Sequence, residues 1–133
     1  MTTPTDKLPP QDREAEKSVL GSLIRDNRVY DDIAQVLRAE DFYFDAHQKI
    51  YSCIASLIGS SKPCDALILF EEAIARGWQK EITAPYLAEL WDYSPTAANA
   101  KYHAGIVKAK ARRRGVIHLC MEFMRDSYDE FEP

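Results

Sequence analysis

Apolar residues recur at helical spacing from Val19 onward, and nowhere do they alternate as in a half-buried strand. Val19, Leu20, Leu23 and Ile24 mark a first helix. Asp12 stands where its carboxylate can cap that helix, and Glu14 and Glu16 suit the positive end of its dipole. Asp26-Asn27 ends it, and Tyr30, Ile33, Ala34 and Leu37 mark a short second helix. Asp45 opens a third, with Gln48 in capping-box position and Ile50, Ile54, Leu57 and Ile58 as its buried stripe. Gly59 is its natural stop. Asp65 caps a fourth helix that runs to Arg76 and is closed by Gly77. Thr83 or Ala84 opens a fifth, with Pro85 in its first turn and Leu87, Leu90 and Trp91 on one face. The expected fold is all-α, a compact helical head followed by a long projecting C-terminal helix.

That last helix carries the strongest functional signal. From Asn99 to about Ser127 the pattern stays helical, with Gly105 and Gly115 as weak points. Roughly 29 residues give a rod of about 43 Å. A head of ~90 residues is only about 25–30 Å across. Part of the helix must therefore project. Val116, Ile117, Cys120, Phe123 and Met124 recur at i, i+1, i+4, i+7 and i+8 and share one face of that projecting part. An exposed apolar stripe of this kind needs a partner, and no second helix follows before Glu132-Pro133 to supply one. The expected organisation is a mobile or extended leader over 1–10, the head over 11–98, and the long helix over 99–133.

Composition adds limits. A chain of 133 residues fits one domain with one core. The longest apolar run, Ala66 to Phe70, is far too short to span a bilayer. The N-terminus lacks the apolar centre of a signal peptide, so a cytoplasmic location is expected, with no membrane partner. Cys53, Cys64 and Cys120 are odd in number and form no CxxC pair, as inert thiols in a reducing compartment would. The net charge of −4 weighs against tight, sequence-independent binding of DNA by the whole domain.

Catalytic constellations are missing from the sequence. None of the five glycines precedes a lysine, so there is no phosphate-binding loop and no cofactor or nucleotide site is expected. His47, His103 and His118 lie far apart, without metal-ligand spacing. His47 reads as a first-turn residue with a local hydrogen bond, and the other two as exposed or interfacial residues of the last helix. Carboxylate neighbours such as Asp31-Asp32 and Glu71-Glu72 point about 100° apart on a helix and do not converge. Phe42, Tyr43 and Phe44 read as core residues, with an aromatic docking patch as the alternative. Lys108, Lys110, Arg112, Arg113 and Arg114 put five cations within seven residues. They suggest a weak DNA contact. A solvated, salt-bridging helix is the simpler alternative, because the five positions spread around the helix.

Several segments together carry a resemblance. Pro9-Pro10, Glu14-Ala15-Glu16 and Val19-Leu20-Gly21 open the chain. Asp41-Phe42-Tyr43 with His47 and Ile50 follows, then Lys62-Pro63-Cys64-Asp65 and Tyr86-Leu87-Ala88-Glu89-Leu90. Ser94 to Asn99 with Tyr102, Ile106 and Val107 completes the series. In order and spacing these resemble the N-terminal domain of DnaB-type replicative DNA helicases, over nearly the whole chain. Ala84-Pro85, where the family usually has two glycines, and His103, where it usually has alanine, depart from the pattern. The resemblance implies a non-catalytic collar domain. Such domains pair subunits through a helical hairpin into dimers and hexamers, and dock the C-terminal domain of primase. It also brings in a helicase loader as a further partner, and it places ATP and Mg in a motor domain elsewhere in the parent. The hairpin's second arm is not in this sequence, which suggests a piece cut before that arm or a short relative. Two other readings stand beside it: a small nucleic-acid-binding protein using the 108–114 cluster, and a free-standing relative that intercepts primase or helicase.

Overall fold

The computed structural model describes residues 7–129. Calls on the first six residues, on Glu130 and on Glu132-Pro133 lie outside them. Among the described residues there are helices and no strands. α1 spans Arg13–Arg25, α2 Tyr30–Ala34, α3 Asp45–Gly59, α4 Ala66–Ala75, α5 Ala84–Tyr93 and α6 Ala100–Asp129. Short 3-10 turns at Asn27–Val29 and Ala39–Asp41 bracket α2.

Three of the capping signals operate as the sequence indicates. Asp12, Asp65 and Thr83 each accept a backbone N–H from the first turn that follows, at 2.9, 2.8 and 3.3 Å. Asp12→Ala is expected to cost about 1 kcal/mol, read as a fall in melting temperature of roughly 4 °C. Two other local signals fail. Asp45 does not cap α3. The cap position falls to Phe44, and Gln48 donates instead to the Phe42 carbonyl at 2.7 Å. Gly59 is still helical, and the left-handed residue that ends the turn is Ser61, with φ of 58°. α4 does end at a left-handed glycine, Gly77.

α1 is the central helix and packs against α3, α5 and α6. Its Val19, Leu20, Leu23 and Ile24 meet Ile50, Ile54, Leu87 and Leu90 in one core. Phe42 joins that core, while Tyr43 and Phe44 are half-buried. Gly21 lets α1 and α5 touch: a Cβ there would overlap the Leu90 carbonyl oxygen. Beside it Arg25 closes the end of α5, donating to the carbonyls of Ser94 and Trp91 at 2.7 Å each. The guanidinium also lies over the Trp91 ring, which stays partly exposed rather than joining Leu87 and Leu90 in the core. Asn27 ties the end of α1 to the loop before α4 through a pair of bonds to the Cys64 backbone. Burial raises the Cys53 thiol and pushes Cys64 up to about 12, which keeps both protonated and unreactive. Cys120 is exposed on α6.

The first half of α6 belongs to the core, with Ala100, Ala104 and Val107 buried against the head. Gly105 and Gly115 do not interrupt it.

Candidate functional site

Two features stand out, one inside the head and one outside it. Inside, α1, α3 and α5 are joined by a polar chain. Glu16 and His47 are each 1% exposed. Glu16 Oε2 accepts the Tyr43 backbone N–H at 2.8 Å, and Oε1 lies 2.8 Å from His47 Nδ1. A carboxylate only accepts, so Nδ1–H donates to it, and Nε2 hydrogen-bonds the Tyr86 hydroxyl. Burial raises the Tyr86 phenol above its ordinary range. His47 thus bonds to partners 31 and 39 residues away, not to its own turn. Glu16 stands in the first turn of α1, as expected, and is in addition a buried strut. Among the described residues no buried side-chain polar atom lacks a partner. The chain of bonds holds α1, α3 and α5 together, and on its outer side His47 and Tyr86 line an open groove of about 380 Å³ with Arg13, Phe44, Glu81 and Thr83.

Outside, the far half of α6 leaves the head. Arg114 is its last anchor. It donates to the carbonyls of Pro10 and Asp41 at 2.8 and 2.6 Å and lies over the Tyr43 ring. Lys108 pairs with Asp41 at 3.1 Å. Two of the five clustered cations therefore bind the head itself. Lys110 is half-buried, and Arg112 and Arg113 are exposed. The cluster is not one basic surface.

Past Arg114 the helix runs on through Asp129. Those 15 residues project roughly 22 Å. Val116, Ile117, Cys120, Phe123 and Met124 are all exposed there, Val116 and Phe123 at 62% each. So are Leu119, Met121 and Tyr128, which sequence reasoning missed. At about 100° per residue the order around the helix is Leu119, Phe123, Val116, Cys120, Met124, Ile117, Tyr128, Met121, an arc of roughly 200°. The narrower five-residue stripe understates it. The opposite side carries Arg125, Asp126 and the pair His118–Glu122 at 3.1 Å. His103 is half-buried and His118 exposed.

Among the described residues no group of three or more His, Cys, Asp or Glu side chains could hold a metal ion. No described helix is long and apolar enough to cross a membrane.

Comparison with known proteins agrees with this architecture. The family described as DnaB-like helicase N terminal domain matches residues 8–109. The replicative DNA helicase DnaB of Mycobacterium leprae is 44% identical over 123 residues, which cover 92% of this chain and 20% of that protein. The replicative DNA helicase DnaB of Geobacillus stearothermophilus is 36% identical, over 93% of this chain and 28% of that protein. The chain thus spans less than a third of these relatives' length. Among solved structures, the N-terminal domain of DnaB helicase from Mycobacterium tuberculosis matches with a TM-score of 0.91 and 39% identity, covering 95% of this chain and 91% of that one. The Helicobacter pylori DnaB N-terminal domain shares the fold at a TM-score of 0.76 and 18% identity, over 86% of this chain and 90% of that one. With the matched residues covering well over half of its length, this chain belongs to the DnaB-like helicase N terminal domain family.

Proposed function

We propose that this chain is the assembly and docking domain of a replicative DNA helicase. It pairs subunits through the far half of α6, receives the C-terminal domain of primase, and carries none of the motor's chemistry. The observation that carries this reading is the apolar arc on the unsupported half of α6. One packed neighbour covers a stripe about 100° wide, so an arc of roughly 200° has room for two. A second hairpin arm and a second subunit fill those two positions. The ATP and Mg chemistry of the parent belongs to its motor domain.

The curated relatives are replicative DNA helicases, and the Helicobacter pylori domain is described together with its interactions with primase. Both facts support the reading. The head suits a docking role because α1, α3 and α5 are locked by the Glu16–His47–Tyr86 chain. A partner then meets a preformed surface and loses little to ordering it.

The association half is tested with Ile117→Asp combined with Phe123→Asp. Both side chains are exposed, so the head should melt at the wild-type temperature. Sedimentation equilibrium should show self-association weakened by about a hundredfold, since burying an unpaired carboxylate at an apolar contact costs several kcal/mol. A variant that retains the wild-type mass distribution contradicts the assignment.

A further inference from the structure

Where α6 leaves the head, Lys108 and Arg112 sit one turn apart on the same side of the helix. They face the segment Gln35–Arg38, which follows α2, and together these residues line an open groove of about 380 Å³. Arg38 brings a third cation from a part of the sequence remote from the 108–114 cluster. Its guanidinium lies 3.8 Å from Glu40, at the limit of an ion pair, and its side chain is 80% exposed, while its backbone N–H donates to the Asp41 carboxylate at 2.8 Å. Lys108 shares its charge with Asp41. Arg112 makes no ion pair with any described residue.

We propose that this groove binds phosphate groups of single-stranded nucleic acid without reading sequence. Guanidinium forks suit phosphate oxygens. Protein partners usually anchor on aromatic or aliphatic side chains, and this groove presents mostly polar surface. It has no aromatic platform either, so it holds the backbone and leaves bases unstacked. This site is separate from the apolar arc of α6, and neither proposal depends on the other. The reading differs from a contact made by the whole 108–114 cluster. Arg38 takes part, and Arg113, about 100° around the helix from Arg112, does not.

The test is fluorescence anisotropy of labelled oligothymidylate with the wild-type chain, with Arg38→Glu combined with Arg112→Glu, and with Arg113→Glu. Wild-type binding should weaken with salt at a log–log slope of about −2, the value for three phosphate contacts to a single strand. The double variant should bind at least about tenfold more weakly, and Arg113→Glu should change binding less than about twofold. Thermal melts of all three should coincide, since the substituted side chains are exposed. No binding by the wild-type chain overturns the proposal, as does an unchanged double variant or an equal loss in Arg113→Glu. Tripolyphosphate serves as the free-phosphate arm. If it shifts the amide resonances of Gln35–Arg38 while oligothymidylate does not, the groove takes free polyphosphate and the nucleic-acid assignment fails.

Discussion

Glu16→Ala should lower the melting temperature of this chain by roughly 15 °C, the largest effect expected of any single substitution described here. Removing one partner of a buried hydrogen-bonded pair costs about 3–5 kcal/mol, and each kcal/mol is worth about 4 °C in a domain of this size. The cost has three sources. The Tyr43 N–H and the His47 Nδ1–H both lose their acceptor. The His47 nitrogen stays shielded from water, because His47 is buried and its ring is stacked against Tyr86. The space left by the side chain adds a cavity at the junction of α1 and α3. Glu16→Gln should recover part of the loss, because its amide oxygen still accepts one of the two bonds. Thermal denaturation followed by circular dichroism measures both. A Glu16→Ala chain that melts within about 3 °C of wild type would show that the buried chain of bonds contributes little.

Gly21→Ala comes next. Alanine normally favours a helix over glycine by about 1 kcal/mol. Here the added methyl would overlap the carbonyl oxygen of Leu90, which is backbone and cannot rotate away. α5 would have to retreat from α1, loosening Leu87 and Leu90 in the core and the Ser22–Ser94 contact at 3.2 Å. Overpacking of this kind costs about 1–3 kcal/mol, occasionally more. With the helix gain set against the upper end of that cost, a net loss of about 2 kcal/mol and a melting temperature roughly 8 °C lower are expected. Gly115→Ala is the control. Nothing lies within 4 Å of a Cβ at that position, so it should leave the head unchanged or stabilise α6 slightly. If both variants melt alike, α1 and α5 are not held at the distance described.

The difference between these positions explains how much the sequence showed. Caps such as Asp12, Asp65 and Thr83 are local: donor and acceptor lie within three residues, so the signal is complete in one stretch of chain. Glu16 sends the same local signal as Glu14, an acid in a first turn, and only the approach of α3 turns it into a buried strut. His47 and Tyr86 fit that pattern, since their partners come from other helices. A faint signal existed, because Glu16, His47 and Tyr86 all fall within the segments that carry the family resemblance. Gln48 shows the converse: the capping-box spacing was present, but the Phe42 carbonyl took its amide. For the projecting helix, length and periodicity sufficed to place an exposed stripe. They did not reveal its breadth, because Leu119, Met121 and Tyr128 lie at the edges of the arc, beyond the seam that Val116, Cys120 and Phe123 define at i, i+4 and i+7. The roles within the cation cluster were the least legible, because the partners of Lys108 and Arg114 lie at Asp41 and Pro10, remote in sequence. Both residues hold the helix to the head.

These observations divide the molecule by task. The head supplies a fixed shape, Arg114 sets where the long helix departs, and the helix beyond it carries apolar surface that the described chain leaves uncovered. The proposed assembly role would use this division: the far half of α6 would be buried between subunits while the head stays free to receive a partner.

Calorimetric titration of this chain with the C-terminal domain of primase from the same source tests that account most directly, with light scattering on each free protein. The account predicts saturable binding that persists at moderate salt, because a preformed head should dock through packed contacts rather than screened charges. No heat of binding from a folded chain, confirmed by an equally silent titration at a second temperature, would contradict the docking role.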